Sequence, residues 1–207
     1  MTFNGLSYPF APSYTMAQDR ESPPADFESY VQQLYKSNGV IYALMAVRQR
    51  LFSEARLQFQ RMNGGRPGEL FGTTDLGILE RPWPGGTTGD LLSRMILNAD
   101  LAGNWFGTII DDEIVSLRPD WTDIVLAPRV GANGGMVGKK KVGYIYYEGG
   151  KSPDGGTLSG EQPEPFLADE VAHFAPYPDP IASYRGMSWL TPVVRSIQAD
   201  GMAERHK

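Results

Sequence analysis

Apolar residues recur along this chain with two different periods, and the pattern predicts a mixed α+β fold. In "PPADFESYVQQLYKSNG", Phe27, Tyr30, Val31, Leu34 and Tyr35 fall on one helical stripe. Asp26 stands at the N-cap position, and Asn38-Gly39 is expected to end the helix with positive φ. A second helix follows in "VIYALMAVRQRLFSEAR". Val40, Leu44, Val47 and Leu51 form a seam that Ile41, Met45 and Phe52 widen. So much apolar surface predicts a deeply packed helix. A third helix is expected from Thr87 or Thr88 as cap, with Leu91, Leu92, Met95, Ile96 and Ala99 on its face and Gly103 as its stop.

Shorter segments alternate with the period of a half-buried strand. "LQFQRM" is one, broken by "NGGRPG". Asn104 to Ile110 is another, followed by a turn at Asp111-Asp112. "EIVSLRP", "WTDIVLAPRV", "KVGYIYYE" and "FLADEVAHFAP" are predicted as four more. A last helix is expected in "SWLTPVVRSIQADGMAERHK", with Thr191 as cap and Pro192 in the first turn. It meets no stop signal, so its continuation beyond the last residue is expected. Residues 1–25 carry four prolines and no sustained period, and read as an extended arm ordered against a partner.

Composition narrows the function classes. The chain has 207 residues, enough for one domain or two small ones, and its 41% hydrophobic content predicts folding. There is no cysteine, which removes disulfides, thiolate metal sites and cysteine nucleophiles. No apolar run approaches the roughly 20 residues a membrane span needs, and the N-terminus lacks the order of a signal peptide. The default is a soluble intracellular protein. The net charge of −5 argues against tight gripping of nucleic acid, which draws on a basic excess.

Candidate chemistry is sparse. Clustered glycines precede Lys139, Lys140 and Lys141, but a phosphate-binding loop needs G-x-x-x-x-G-K-[ST] opening a helix. Asn133 stands where the first glycine belongs, Lys140 where the hydroxyl residue belongs, and a strand follows. The lysines are therefore assigned to a basic hairpin tip, a possible contact point for an acidic or nucleic acid partner. His173 and Glu170 lie three apart, which in a strand puts them on opposite faces, so His173 reads as a half-buried strand histidine. His206 receives no role. Asp111-Asp112-Glu113 and Asp169-Glu170 read as solvated turns, lacking a neighbouring nucleophile or metal site. Trp105, Phe106, Tyr144, Tyr146 and Tyr147 could stack bases on an open sheet, but the acidic balance favours packing. No catalytic, cofactor-binding or metal-binding residue is assigned.

The order of these signals resembles the HK97-type phage portal proteins, over residues 38–207, which correspond to the N-terminal half of the family. The helix-to-strand passage "NGVIYALMAVRQRLFSEARLQF" comes first, then "LGILERPWPGGTTGDLLSRMILNADLAGNWFGTII". "VSLRPDWTDIVL", "GYIYY", "ADEVAHFAPYP" and "YRGMSWLTPVVRSIQAD" follow in the family's order. Two departures stand out: "RPWPGG" replaces the family's Pro-Asn, and "SWLTP" replaces its Ser-Pro-Leu.

The resemblance implies a portal fold of mixed helices and short antiparallel strands. It divides the chain into an arm (1–25), a wing-like domain (26–187) and the start of a stem-side helix (188–207), with the rest of a portal not present. It implies a dodecameric ring at one capsid vertex, assembled in the host cytoplasm and built into the virion. Double-stranded DNA would pass through it during packaging and ejection, without sequence specificity, and it would join head to tail. Implied partners are other copies of the chain, the major capsid protein, the terminase large subunit and a head–tail adaptor protein. No enzyme activity, cofactor or membrane is implied; the motor hydrolyses ATP. Two other classes stay open. One is a virion assembly or interaction protein without a DNA channel. The other is a zinc- or carboxylate-dependent hydrolase, which replacement of His173 would reveal.

Overall fold

The computed structural model describes residues 2–3, 6–7, 20–23, 27–70, 74–152 and 155–194. It is an α+β fold with antiparallel sheets and few helices. Thr2–Phe3 (β1) pairs with Leu6–Ser7 (β2), and Arg20–Glu21 (β3) joins a larger sheet further along the chain.

Phe27–Tyr30 (α1) runs into a π-helical turn, Val31–Tyr35. Asn38 does not end this segment in a left-handed conformation. It has φ −110° and caps Gly39–Ser53 (α2), its Oδ1 accepting from the amides of Val40 and Ile41 at 3.0 and 3.1 Å. Asp26 lies outside the described residues.

Of the expected strand at 57–62, residues 57–59 are irregular and 60–62 are strand. Gln60–Asn63 (β4) pairs with Arg66–Leu70 (β5). The glycines read as a breaker, Gly64 and Gly65, are the hairpin turn, with φ of 58° and 79°.

Thr88–Ala102 (α3) forms as its local signals require. Thr87 and Asp90 make a reciprocal capping box, and Gly103 stops the helix at φ 74°. The chain turns directly into Trp105–Ile110 (β6). Asp111 and Asp112 make the turn into Glu113–Leu117 (β7), with φ of 52° and 60°.

After a 3₁₀ turn at Pro119–Trp121 come the two long strands, Thr122–Val130 (β8) and Met136–Tyr146 (β9). The single strand expected in "FLADEVAHFAP" is two: Glu164–Leu167 (β10) and Val171–Phe174 (β11), which enter different sheets. Of the last expected helix, the described residues show hydrogen-bonded turns at 189–193 and one helical residue, 194. Ser188 Oγ accepts the Leu190 amide, and Val194 N–H donates to Leu190 C=O at 3.0 Å. Residues 195–207, including His206, lie outside the described residues.

Two sheets carry the core. One has the order β10-β9-β8-β3 and the other β11-β6-β7. They share a buried cluster of Phe106, Leu117, Ile124, Leu126, Tyr144 and Val171. Each such side chain contributes roughly 1.5–3 kcal/mol by leaving water. A second cluster, Leu34, Ile41, Met45, Leu101 and Leu190, joins the helices to the C-terminal turn.

Only one side of α2 is packed. Ile41 and Met45 are buried, whereas Val40, Leu44, Val47 and Leu51 are 70%, 50%, 56% and 68% exposed. The predicted deep seam is therefore an open apolar face. Periodicity identifies residues that share a face but not whether anything covers it.

Candidate interaction surface

Lys139–Lys141 do not form a hairpin tip. The tip is Gly131–Gly135, closed by the Gly131 amide donating to Gly135 C=O at 2.8 Å. The three lysines lie inside β9, opposite Pro128, Ala127 and Leu126 of β8. Gly138, at φ 69°, sits at a register irregularity next to them, which is why the stretch reads as loop in sequence.

The three side chains differ. Lys141 is half-buried, bonded to the Tyr144 hydroxyl and set over the Tyr144 and Tyr184 rings at 5.0 and 5.8 Å. Burial pulls its pKa down. Lys139 is half-buried, and its carbonyl accepts from the Tyr184 hydroxyl at 3.2 Å. Lys140 alternates to the other face and is exposed.

Beyond Leu126 and Lys141 the two strands continue as a ribbon whose outer edges pair with no other strand among the described residues. It extends about 15 Å at strand rise. From Ile124 to Tyr147 the chain has four cations, Arg129 and Lys139–Lys141, and no acid. Val130, Met136 and Val137 stand 63%, 66% and 61% exposed at its end. Lysines on an open edge also discourage unwanted strand addition.

The β6–β7 hairpin end has the same construction with the opposite sign. Asp111, Asp112 and Glu113 cap a strand pair whose Ile109, Ile110 and Val115 are exposed. The turn is solvated, as the sequence indicates.

Behind these surfaces lies a buried polar hub. Glu21 is 2% exposed, and its carboxylate accepts the amides of Ser183, Tyr184 and Arg185 at 2.7, 3.1 and 3.1 Å. Arg185 donates to the carbonyls of Glu21 and Thr122 and stacks 5.6 Å from the Phe106 ring centre. Asn104 is fully buried. Its amide donates to Ala102 and Gly186 carbonyls at 2.9 and 3.1 Å, and its Oδ1 accepts the Gly186 amide at 2.8 Å.

His173 completes the hub. Its Nε2 lies 3.0 Å from Asn104 Oδ1, and its ring stacks on Phe106 at 4.5 Å. Because that oxygen is an acceptor, the network assigns the proton to Nε2. Burial first, then Lys141 and Arg185, push the His173 pKa down to about 3. Glu170 turns elsewhere and accepts the Leu167 amide at 2.7 Å. His173 and Glu170 are thus not brought together. Among the described residues no three of His, Asp and Glu converge as metal ligands would. None of their helices is long and apolar enough to cross a membrane.

The aromatics pack as expected. Trp105, Phe106, Tyr144 and Tyr147 are buried, and Tyr146 is half-buried against Trp121. They leave no open stacking platform. The surface feature that sequence reading missed is the open α2 face. The basic ribbon was visible as a glycine- and lysine-rich stretch but misplaced along the strand.

No family model matches the sequence, and no curated protein matches it. Solved structures do share the fold. A chain in "Virion of native gene transfer agent (GTA) particle" matches with TM-score 0.62 and 18% identity, covering 88% of this chain and 44% of that one. A chain in "Neck of empty GTA particle computed with C6 symmetry" gives 0.62 and 19%, covering 84% and 43%. A chain in "Neck of native GTA particle computed with C12 symmetry" gives 0.63 and 18%, covering 90% and 45%. The present chain thus spans less than half the length of each of these chains.

Proposed function

We propose that this chain is part of a portal-type connector subunit of the HK97 class. In this reading, copies close into a dodecameric ring at one capsid vertex. Double-stranded DNA passes through the ring during packaging and ejection, and the ring joins head to tail. The observation that carries the reading is the fold shared with chains of GTA virion and neck structures over 84–90% of this sequence. The order of sequence signals that resembles portal proteins supports it independently.

The charge balance fits a conduit. Each phosphate held by a lysine or arginine would act as a brake, whereas a net charge of −5 leaves a duplex free to slide. ATP hydrolysis falls to a separate motor, the terminase large subunit. The capsid protein and a head–tail adaptor are the other expected neighbours, and the virion is the expected location.

Imaging and native mass measurement of the intact protein test this. A closed twelve-fold ring with a duplex-wide opening is expected. A stable monomer, or a closed particle without an opening, would remove the portal reading. The latter would favour an assembly protein that has no DNA channel.

A further inference from the structure

We propose that the basic β8–β9 ribbon of one copy docks on the acidic β6–β7 hairpin end of the next copy. This rests on the connector reading above and names the contact that would close its ring.

The two surfaces are complementary in both charge and apolar character. The ribbon presents exposed Arg129 and Lys140 beside Val130, Met136 and Val137. The hairpin end presents Asp111, Asp112 and half-exposed Glu113 beside Ile109, Ile110 and Val115. A ring needs a head-to-tail contact between two different patches of the same chain, because a self-complementary patch stops at a dimer. Opposite charges on the two patches would offset the repulsion that a net charge of −5 on this chain contributes. The ribbon holds its cations without any intervening acid.

A second copy suits the ribbon better than a duplex does. Three exposed apolar side chains at the tip gain nothing against phosphates but lose water against Ile109, Ile110 and Val115. Of the four cations, Lys141 is already engaged with Tyr144 and Tyr184.

The test uses the intact protein and mass photometry. Arg129→Glu/Lys140→Glu should lower the ring population at least about tenfold, since like charges now face each other. Asp112→Asn/Glu113→Lys should do the same; asparagine tolerates the left-handed turn. A chain carrying both sets of changes should form rings again, and melting curves should stay close to wild type. Rings unaffected by the ribbon variant would overturn the inference while leaving the connector reading in place. Absence of rings in the wild type would remove both. Retention of a short DNA duplex that depends on Arg129 and Lys140, with rings unaffected, would make the ribbon a phosphate-binding arm and also overturn the inference.

Discussion

Arg48 of α2 grips Asp100 of α3 with two parallel hydrogen bonds, Nε to Oδ2 and Nη2 to Oδ1, both 2.8 Å. Asp100 is completely buried, while Arg48 keeps a third of its side chain in water. The guanidinium also lies 5.8 Å from the Trp189 ring centre, and the hydrogen bond to Asp100 raises its pKa further. Removing the arginine strands a buried carboxylate. Arg48→Met should therefore cost about 2 kcal/mol, the solvent-exposed side reducing the full buried-pair penalty. Urea midpoints measure it. Asp100→Leu together with Arg48→Met should recover part of the loss, and equal costs for the single and double variants would discount the pair.

Gly103 and Gly186 meet backbone to backbone, so a Cβ on either would collide with the other's carbonyl oxygen. Asn104 clamps the same place by bonding both the N–H and the C=O of Gly186. Gly186→Ala should destabilise by more than about 2 kcal/mol, through overlap that backbone cannot relieve cheaply. Asn104→Ala should cost about 2–4 kcal/mol by leaving several buried groups without partners. Thermal unfolding of the two variants checks both values.

His173 makes stability fall in acid. Its folded pKa of about 3 lies below the unfolded value of about 6.5, so the unfolded chain takes up a proton first as pH drops. The contribution is complete above pH 6.5 and is lost progressively toward pH 3. Between neutrality and pH 5 this amounts to about 1–2 kcal/mol. Replacing His173 with glutamine should flatten that part of the stability profile relative to wild type. Parallel profiles for the two proteins would refute a neutral buried imidazole.

The open α2 face separates exposed from core positions on one helix. Leu44→Ser and Val47→Ser should each change monomer stability by no more than about 0.5 kcal/mol. Met45→Ala, between them in sequence but fully buried, should cost about 2–5 kcal/mol. Chemical denaturation below the assembly concentration distinguishes the two kinds of site.

What could be read from sequence was local. α3 was legible because Thr87 and Gly103 flank its ends, and their chemistry depends on nothing distant; the Asp90 half of the capping box emerged only in the structure. The turn at Asp111-Asp112 was legible for the same reason. Gly64-Gly65 and Gly138 misled because a glycine marks unusual backbone without saying whether a strand resumes beyond it. Asn38 served the following helix instead of the preceding one, a choice that one capping residue leaves open. The α2 seam failed because burial depends on neighbours brought by the fold. The hub was out of reach altogether: Glu21 and Arg185 are 164 residues apart.

That separation governs when the domain can become itself. The Glu21 carboxylate is costly to bury until the amides of Ser183–Arg185 arrive to receive it. During synthesis β3 can complete the four-stranded sheet with its Glu21 satisfied only after residues 183–185 have left the ribosome. Folding should therefore be a late, all-at-once event, slowed by long loop closure rather than started from the N-terminal end.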